Sequence, residues 1–256
     1  VLAVIGVALA VLASVLLVSV GIGVVETGQQ QFDQAGRDLW ISGGPVEIQP
    51  GSVGAFENSL VDAHQLEAQL NARSDVAAAN PFVFQAVYIS QTQSEFDTVI
   101  AVGAAATPAA VSVTEGRAIE RGDVHYGNGT YNGPMVHEVI IDQRIADRYN
   151  VSVGDPLYIG ATTSVARQHE FTIVGISDMY SSSVGTATVV IPSSELQEIS
   201  GLTASDRAAL MTVKLADDVD PAATKTELER AYPSYTIRTN QEQLQSTLAD
   251  QAIVIA

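Results

Sequence analysis

The chain of 256 residues contains no cysteine, and this absence excludes several classes of site. Disulfide frameworks, thiolate zinc sites, iron–sulfur clusters and cysteine nucleophiles all need that side chain. Basic residues are also scarce, because 12 Lys and Arg stand against 29 Asp and Glu, which gives a formal net charge of −17. Nucleic-acid binding needs a surface of Lys and Arg, so the charge excludes a general nucleic-acid binder. It also argues against docking on anionic lipid headgroups.

Lysine is the rarer of the two strong bases, since Lys214 and Lys225 are the only lysines in the chain. An acidic surface with few lysines stays hydrated in concentrated salt, which screens the repulsion between its carboxylates. The other interpretation is an ordinary acidic extracellular surface. Both interpretations concern solubility, and the composition leaves them open.

The motifs of common catalytic sites are missing. No P-loop GxxxxGKS or GxxxxGKT, no GxSxG nucleophile turn and no HExxH zinc helix occurs. The segment that comes nearest to a nucleophile turn contains Ser177 but lacks the second glycine. The sequence therefore predicts no catalytic residue and no cofactor site.

A few polar side chains could in principle bind a metal. His125 and His137, with Asp123 nearby, carry suitable ligand atoms, but their spacing matches no zinc pattern. Glu115 and Glu120 extend the same group of carboxylates, for which a solvated acidic face is the expected role rather than acid–base catalysis. The sequence predicts no metal site.

Residues 1–25 contain no charged side chain. At 1.5 Å per residue a helix of this length spans about 37 Å, enough to cross a hydrocarbon layer of about 30 Å. A secretory signal would have a basic start and a shorter apolar core, and a buried core helix is rarely apolar on every face. We therefore predict a transmembrane helix over 1–25 and a helical stalk over 26–37.

The end of the chain is apolar as well. Leu244, Leu248 and Ala252 recur at helical spacing before the final run Ile253–Ala256. This pattern predicts a stalk and the start of a second transmembrane helix over 241–256. The alternative is a fraying C-terminal helix.

Between these segments, short apolar runs and helical periods predict an α+β fold. The predicted strands are 38–42, 76–90, 96–102, 138–142, 157–159, 171–176, 188–191, 211–215 and 235–239. The second and third of these should pair as a hairpin, and the strands after about residue 107 should be mostly antiparallel.

Four helices have candidate caps. Asp142 and Asp220 precede helical patterns, and Asp220 is followed by a proline that suits the first helical position. Asp62 and Ser194 stand three residues before a glutamine, which is the register of a capping box. All four are predicted N-caps.

A change of pattern near residue 107 predicts two lobes. Residues 38–105 and 206–240 should form one α+β lobe, and the turn-rich residues 106–205 a β-rich lobe inserted into it. The insertion contains two glycosylation-type sequons, at Asn128 and Asn150, which an extracellular location would make available.

The order of motifs in residues 116–196 is distinctive. A Gly116-Arg117 turn is followed by the strand EVII, the turn VGDPLYI, the strand FTIVGI and an Ile-Pro step into a helix. This series resembles the MacB-like periplasmic core domain of ABC-transporter permeases of the FtsX/LolC/LolE type, and the likeness extends over nearly the whole chain.

The resemblance implies a porter-like α+β lobe with an inserted sabre-like lobe, anchored in the cell membrane with about residues 26–243 outside the cytoplasm. It implies a non-catalytic permease subunit that couples cytoplasmic ATP hydrolysis to export or extraction of a substrate, which the family calls mechanotransmission. Its partners would be an ABC ATPase on the cytoplasmic side, a second permease subunit and the lipid bilayer.

A second hypothesis is a membrane-anchored sensor or ligand-binding ectodomain, which also needs two flanking helices. An anchored hydrolase would need a nucleophile–base pair or a metal cluster, and the sequence contains neither. The acidity, the two lysines and the Gly- and Asn-rich segment at 126–134 depart from the family pattern, so the sequence predicts no particular cargo.

Overall fold

The computed structural model describes residues 37–43, 60–105, 111–120 and 122–246. The predicted transmembrane helix at 1–25, the stalk up to residue 36 and the apolar end from residue 247 lie outside these ranges. Within them, no helix combines the length and the apolarity that crossing a membrane requires.

The described residues fold as a mixture of strands and helices, which confirms the predicted α+β class. The strands are β1 Leu39–Ser42, β2 Val76–Ser90, β3 Asp97–Ala104, β4 Glu115–Gly116, β5 Glu138–Ile141, β6 Pro156–Gly160, β7 Glu170–Ile176, β8 Thr188–Pro192, β9 Leu210–Leu215 and β10 Thr236–Thr239. The helices are α1 Ala63–Asn71, α2 Gln143–Tyr149, α3 Thr163–Ala166, α4 Met179–Val184, α5 Ser193–Ser200 and α6 Pro221–Ala231, with 3₁₀ turns at Val124–Tyr126 and Thr203–Ser205. Residues 240–246 are also helical.

The long strand β2 joins two parts of the sheet. Its first half, from Val76 to Phe82, pairs with β9, which continues through β1 to β10 in antiparallel order. Its second half pairs with β3 in the predicted hairpin, which is therefore confirmed. Pro81 lies in the first half, where the described partner strand is β9 on one side and pairing with β3 on the other side has not yet begun. The missing N–H of Pro81 therefore breaks no hydrogen bond to a second strand.

Six strands close into a ring. β2 pairs with β3, β3 with β8, β8 with β5, β5 with β7, β7 with β6, and β6 again with β2. The β3–β8 and β5–β7 pairs are parallel. Within residues 106–205 three of the four pairings that the structure describes, β4–β7, β5–β8 and β6–β7, are antiparallel, which confirms the prediction of a mostly antiparallel middle section.

Continuous apolar runs occur in the ring because its strands are covered on both faces. Val139 and Ile141 belong to the main core, while Ile140 between them belongs to a second cluster on the other face. Ile173 and Val174 of β7 divide in the same way. The period of two in a strand therefore points alternate residues into two different cores.

The motifs of the sequence have structural roles in this ring. Arg117 makes a two-pronged ion pair with Glu138, with Nη2 2.7 Å from Oε1 and Nη1 3.0 Å from Oε2. Gly116 has a φ of +77°, and a Cβ there would lie 2.3 Å from the carbonyl oxygen of Val174. The Gly-Arg turn is thus fixed against β5 and β7, which explains why this residue pair precedes the strand EVII.

Two of the four predicted caps are confirmed. The Asp142 carboxylate accepts a hydrogen bond from the Arg144 N–H at 2.8 Å, and that of Asp220 accepts one from the Ala222 N–H at 3.0 Å. The prediction for Ser194 is wrong, and the prediction for Asp62 is right in position only.

Asp62 has a left-handed backbone and makes no capping bond, and the N-cap of α5 is Pro192 rather than Ser194. At α1, the Asp206 carboxylate accepts from the His64 N–H that Asp62 would have capped. At α5, the Ser194 hydroxyl donates to the distant Asp123 instead of capping the helix.

The hydrogen bonding also links the two predicted lobes. β3 lies in the sequence range 38–105, yet it pairs with β8 from the range 106–205. β2 is the strand that both groups share. The division into lobes stays a prediction, and the pairing favours a boundary within β2 rather than after β3.

Candidate functional site

A buried histidine lies where α1, the loop of residues 122–137 and the turn after α5 meet. His64, on the first turn of α1, is only 6% exposed. Its ring Nδ1 lies 2.6 Å from Oδ1 of Asp206, and its Nε2 lies 3.1 Å from Oδ2 of Asp123. Because both ring nitrogens face carboxylates, the geometry favours the doubly protonated, positively charged ring.

The charges of this group support one another. Burial by itself would lower the pKa of His64, but the hydrogen bonds to Asp123 and Asp206 outweigh it and raise the pKa to about 9. Burial would raise the pKa of Asp206, but the bonds from His64 and Tyr131 hold it below its usual value. At neutral pH the site is a buried imidazolium between two carboxylates.

Two tyrosines enclose the histidine. The ring of Tyr126 stacks on His64, with centroids 3.8 Å apart and planes 21° apart. Tyr131 meets the same ring edge-on at 5.8 Å. Its hydroxyl lies 2.7 Å from Asp206 Oδ1 and 2.9 Å from Gln197 Oε1, and it donates to one of the two at a time. Burial and the bond to Asp206 raise the Tyr131 pKa, so the hydroxyl stays a donor.

Helix α5 attaches to the same group through polar side chains. Gln197 Nε2 donates to Asp206 Oδ1 at 3.0 Å and to the carbonyl of Arg207 at 2.9 Å. The hydroxyl of Ser194, fully buried, donates to Asp123. We call His64, Asp123, Asp206, Tyr131 and Gln197 the His64 junction.

The far end of the 122–137 loop is held by another buried side chain. Glu195 of α5 is completely buried, and its carboxylate accepts hydrogen bonds from the N–H groups of Val136 and His137. Burial raises the pKa of Glu195 to about 7. Near the start of the loop, Nδ1 of His125 bonds to the carbonyl of Gly133 at 2.7 Å. The loop is therefore fixed along its length.

A cleft of about 340 Å³ opens beside the His64 junction. It lies between the start of α1, the tip of the 122–137 loop and the 3₁₀ turn Thr203–Ser205. Its walls carry hydroxyl, phenol, amide and carboxylate groups, and none of the Lys and Arg residues that the structure describes lines it. The polar side chains are those of Asp62, Gln65, Tyr126, Thr130, Tyr131, Thr203, Ser205 and Asp206.

The residues that the sequence identified as possible metal ligands do not form one group. Asp123 binds His64, whereas His125 lies edge-on to Tyr131 and His137 stacks with His169 at 6.1 Å. Across the described ranges, no three His, Asp or Glu side chains are placed to hold a metal ion.

The remaining polar candidates have local positions. Glu115 and Glu120 are exposed, as are the sequon residues Asn128 and Asn150. Ser177 is buried, and its hydroxyl donates to the carbonyl of Ser112 at 2.6 Å, so it has a structural hydrogen bond.

The central residues of the His64 junction have no signal in the sequence. His64 and Asp206 are 142 positions apart, and Tyr131 is 67 positions from His64. Asp206 follows a short turn and belongs to no motif. Only the fold brings these residues together.

The geometry of the junction suits a structural hydrogen-bond network that holds neighbouring segments together. The buried hydroxyl of Ser194, next to the junction, bonds to Asp123 and not to the imidazole. Both imidazole nitrogens are engaged by carboxylates, so the ring is not positioned as a base for a substrate.

The sequence model of the MacB-like periplasmic core domain family matches residues 1–231. The chain belongs to this family. The resemblance indicated by its motifs is thereby confirmed. A comparison with curated proteins gives no match.

Two solved structures share the fold of this MacB-like periplasmic core domain. The periplasmic region of MacB from Actinobacillus actinomycetemcomitans is 14% identical with a TM-score of 0.57, over 83% of this chain and 92% of that chain. The extracellular domain of YknZ, an ABC-type transporter from Gram-positive bacteria, is 12% identical with a TM-score of 0.50, over 79% of this chain and 98% of that chain. At these identities the likeness concerns the fold.

Proposed function

We propose that this MacB-like periplasmic core domain is the extracytoplasmic part of an ABC-transporter permease subunit. It takes up motion that ATP hydrolysis produces on the cytoplasmic side and uses it to export or extract a substrate. The protein itself is non-catalytic, and the ATPase is a separate subunit or domain. A second permease subunit and the lipid bilayer complete the proposed assembly.

One observation carries this proposal: the chain enters and leaves the described domain at neighbouring points. β1 and β10 are adjacent antiparallel strands, and Leu39 pairs with Thr239. Directly paired residues have Cα atoms about 5 Å apart. Two membrane helices that continue from these ends would therefore reach the domain side by side.

A single side chain ties the two ends together. The Asn240 amide donates from Nδ2 to the carbonyl of Arg37 at 2.6 Å and accepts at Oδ1 from Trp40 Nε1 at 2.8 Å. We call this the Asn240 clasp. A displacement of either end is transmitted to the other through it, which is what a coupling domain needs.

Two further features support the proposal. Relatives of known structure include a periplasmic region of MacB and an extracellular domain of an ABC-type transporter. The His64 junction joins α1 to the inserted segment, so the porter-like and sabre-like parts would move as one body. We place about residues 26–243 outside the cytoplasm.

The test uses the full-length permease with its ATPase. A flexible Gly-Ser insertion after Gln31, which lies outside the described residues, should uncouple the domain. A helix-forming Ala/Glu/Lys insertion of equal length is the matched control. Export is measured by mass spectrometry of the culture medium. The exported molecules are those that disappear from the medium in a strain without the permease and return when the unmodified gene is restored.

We expect the helical insertion to restore export and the flexible insertion not to restore it, with equal ATP turnover in both purified complexes. Normal export with the flexible insertion would contradict mechanical coupling. The alternative, a membrane-anchored sensor, predicts instead that no ABC ATPase purifies with the protein.

A further inference from the structure

The walls of the cleft beside the His64 junction are held in place before any ligand arrives. The rings of Tyr126 and Tyr131 meet at 63° with centroids 4.8 Å apart, so they form an aromatic corner. Tyr126 is fixed by stacking on His64, and Tyr131 by its hydrogen bond to Asp206. A ligand that enters this corner does not have to order the side chains that receive it.

Two carboxylates line this cleft, those of Asp62 and Asp206, and only Asp206 has hydrogen-bond partners among the described residues. Asp62 occupies the N-cap position of α1, where Asp normally accepts a hydrogen bond from the first turn, but its side chain makes no such bond. Asp206 takes over that role, because its Oδ2 accepts from the His64 N–H at 2.7 Å. Over the described part of the chain, the Asp62 carboxylate has no hydrogen bond or ion pair.

The backbone holds Asp62 in an uncommon conformation. Its φ and ψ are 54° and 44°, the left-handed region that few residues other than glycine adopt. Its N–H donates to the carbonyl of Ser205 at 3.2 Å, so this conformation is tied to the opposite wall of the cleft. An exposed carboxylate is thus presented at the rim by a fixed backbone.

The charges around the cleft select the sign of a ligand. Among the described residues no Lys or Arg lines it, and the positive charge of His64 is already matched by Asp206 and Asp123. An anion would meet repulsion without a cationic partner, and an apolar ligand would cover hydroxyl groups without bonding to them. A cation gains from the Asp62 carboxylate and from the two tyrosine rings that line the cleft.

We propose that this cleft binds a ligand that carries a protonated amine, with Asp62 as its ionic partner and Tyr126 and Tyr131 as its aromatic walls. The hydroxyls of Thr130 and Ser205 accept the remaining ammonium hydrogens. The site is additional to the coupling function, and it does not depend on that function.

The test uses the full chain in detergent micelles, with ¹⁵N labelling so that the amides of Gly129 and Ser205 can be followed. The probe is Nα-acetyl-lysine methylamide, and its neutral counterpart is Nα-acetyl-norleucine methylamide. We expect saturable binding of the lysine derivative that is at least about tenfold tighter than binding of the norleucine derivative.

Two matched variants separate the site from general attraction to an acidic protein. Asp62→Asn keeps the shape of the side chain and suits a left-handed backbone, and it should weaken binding at least about tenfold. Asp217→Asn removes the same charge from an exposed position beyond the far end of β9, and it should change binding less than about twofold.

Three outcomes would overturn the proposal. The lysine and norleucine derivatives bind equally, the Asp217 variant loses as much affinity as the Asp62 variant, or a neutral polyol such as trehalose binds in the cleft more tightly than the amine. The export assay described above is unaffected by any of these outcomes.

Discussion

Asp206 binds His64 twice, through the backbone N–H at 2.7 Å and through ring Nδ1 at 2.6 Å. The first bond caps helix α1 and the second balances a buried positive charge. One carboxylate therefore fixes both the start of helix α1 and the orientation of the charged His64 ring. The free energy of unfolding should therefore depend on this pair and should change with pH as His64 loses its proton.

The pH dependence of stability should show a fall in the alkaline range. His64 has a pKa of about 9 in the folded protein and an ordinary value of 6.5 when unfolded. A proton bound more tightly by the folded state stabilises it, so this contribution is complete below pH 6.5 and is lost as the pH rises through 9. The full loss should be on the order of 3 kcal/mol, of which about 2 kcal/mol falls between pH 7.5 and pH 9.5. Thermal unfolding midpoints at pH 7.5, 8.5 and 9.5 will measure it.

Other groups interfere little in this window. Burial raises the pKa values of the Glu67 and Glu195 carboxyls to about 7, so both groups are mostly ionised throughout the measured pH range. The chain has no thiol that could titrate. The control is His64→Gln, which should remove most of the alkaline fall, whereas His137→Asn should retain it. A fall of the same size in the His64 variant would show that another group is responsible.

The choice between Asp206 and Asp62 as the cap of α1 can be tested by exchange of each for asparagine. Asp206→Asn leaves the imidazolium of His64 with one carboxylate and should destabilise the domain by about 3 kcal/mol, as expected for a broken buried ion pair. Asp62→Asn should cost less than about 0.5 kcal/mol, because its side chain makes no capping bond. Chemical denaturation measures both, and equal losses would contradict the assignment.

The Asn240 clasp gives a third prediction. Asn240→Ala leaves the indole N–H of Trp40 without its acceptor and the Arg37 carbonyl without its donor. The expected loss is about 1–3 kcal/mol, concentrated at the β1–β10 edge. The control is Asn132→Ala, at an exposed position in the 122–137 loop, which should be close to neutral. Amide exchange in β1 and β10 measures the difference, and unchanged exchange in the Asn240 variant would mean that strand pairing alone holds the ends.

The sequence predicted those parts of the fold that depend on neighbouring residues. The run EVII was identified as a strand because both of its faces are buried, and Asp220-Pro221 was identified as a helix start because cap and proline are adjacent. The order of motifs from Gly116 onward was sufficient to identify the family, and two of these motifs are in direct contact through the Arg117–Glu138 ion pair.

The sequence could not predict the features that depend on distant residues. The capping pattern at Asp62 was present, but Asp206 reaches the same N–H from 142 positions away and replaces it. The parallel pairing of β3 with β8 has the same origin, since nothing within either strand specifies the direction of its partner. The His64 junction was therefore invisible until the chain was folded.

The most direct test of the coupling account is amide hydrogen exchange in the full-length transporter, with and without ATP trapped by vanadate. If the domain receives motion at its paired ends, exchange should change at β1 and β10, around Leu39 and Thr239, and should stay the same in the ring strand β7. The account predicts this difference in a complex with normal ATP turnover. Identical exchange throughout the domain in the two states, with ATP turnover intact, would contradict it.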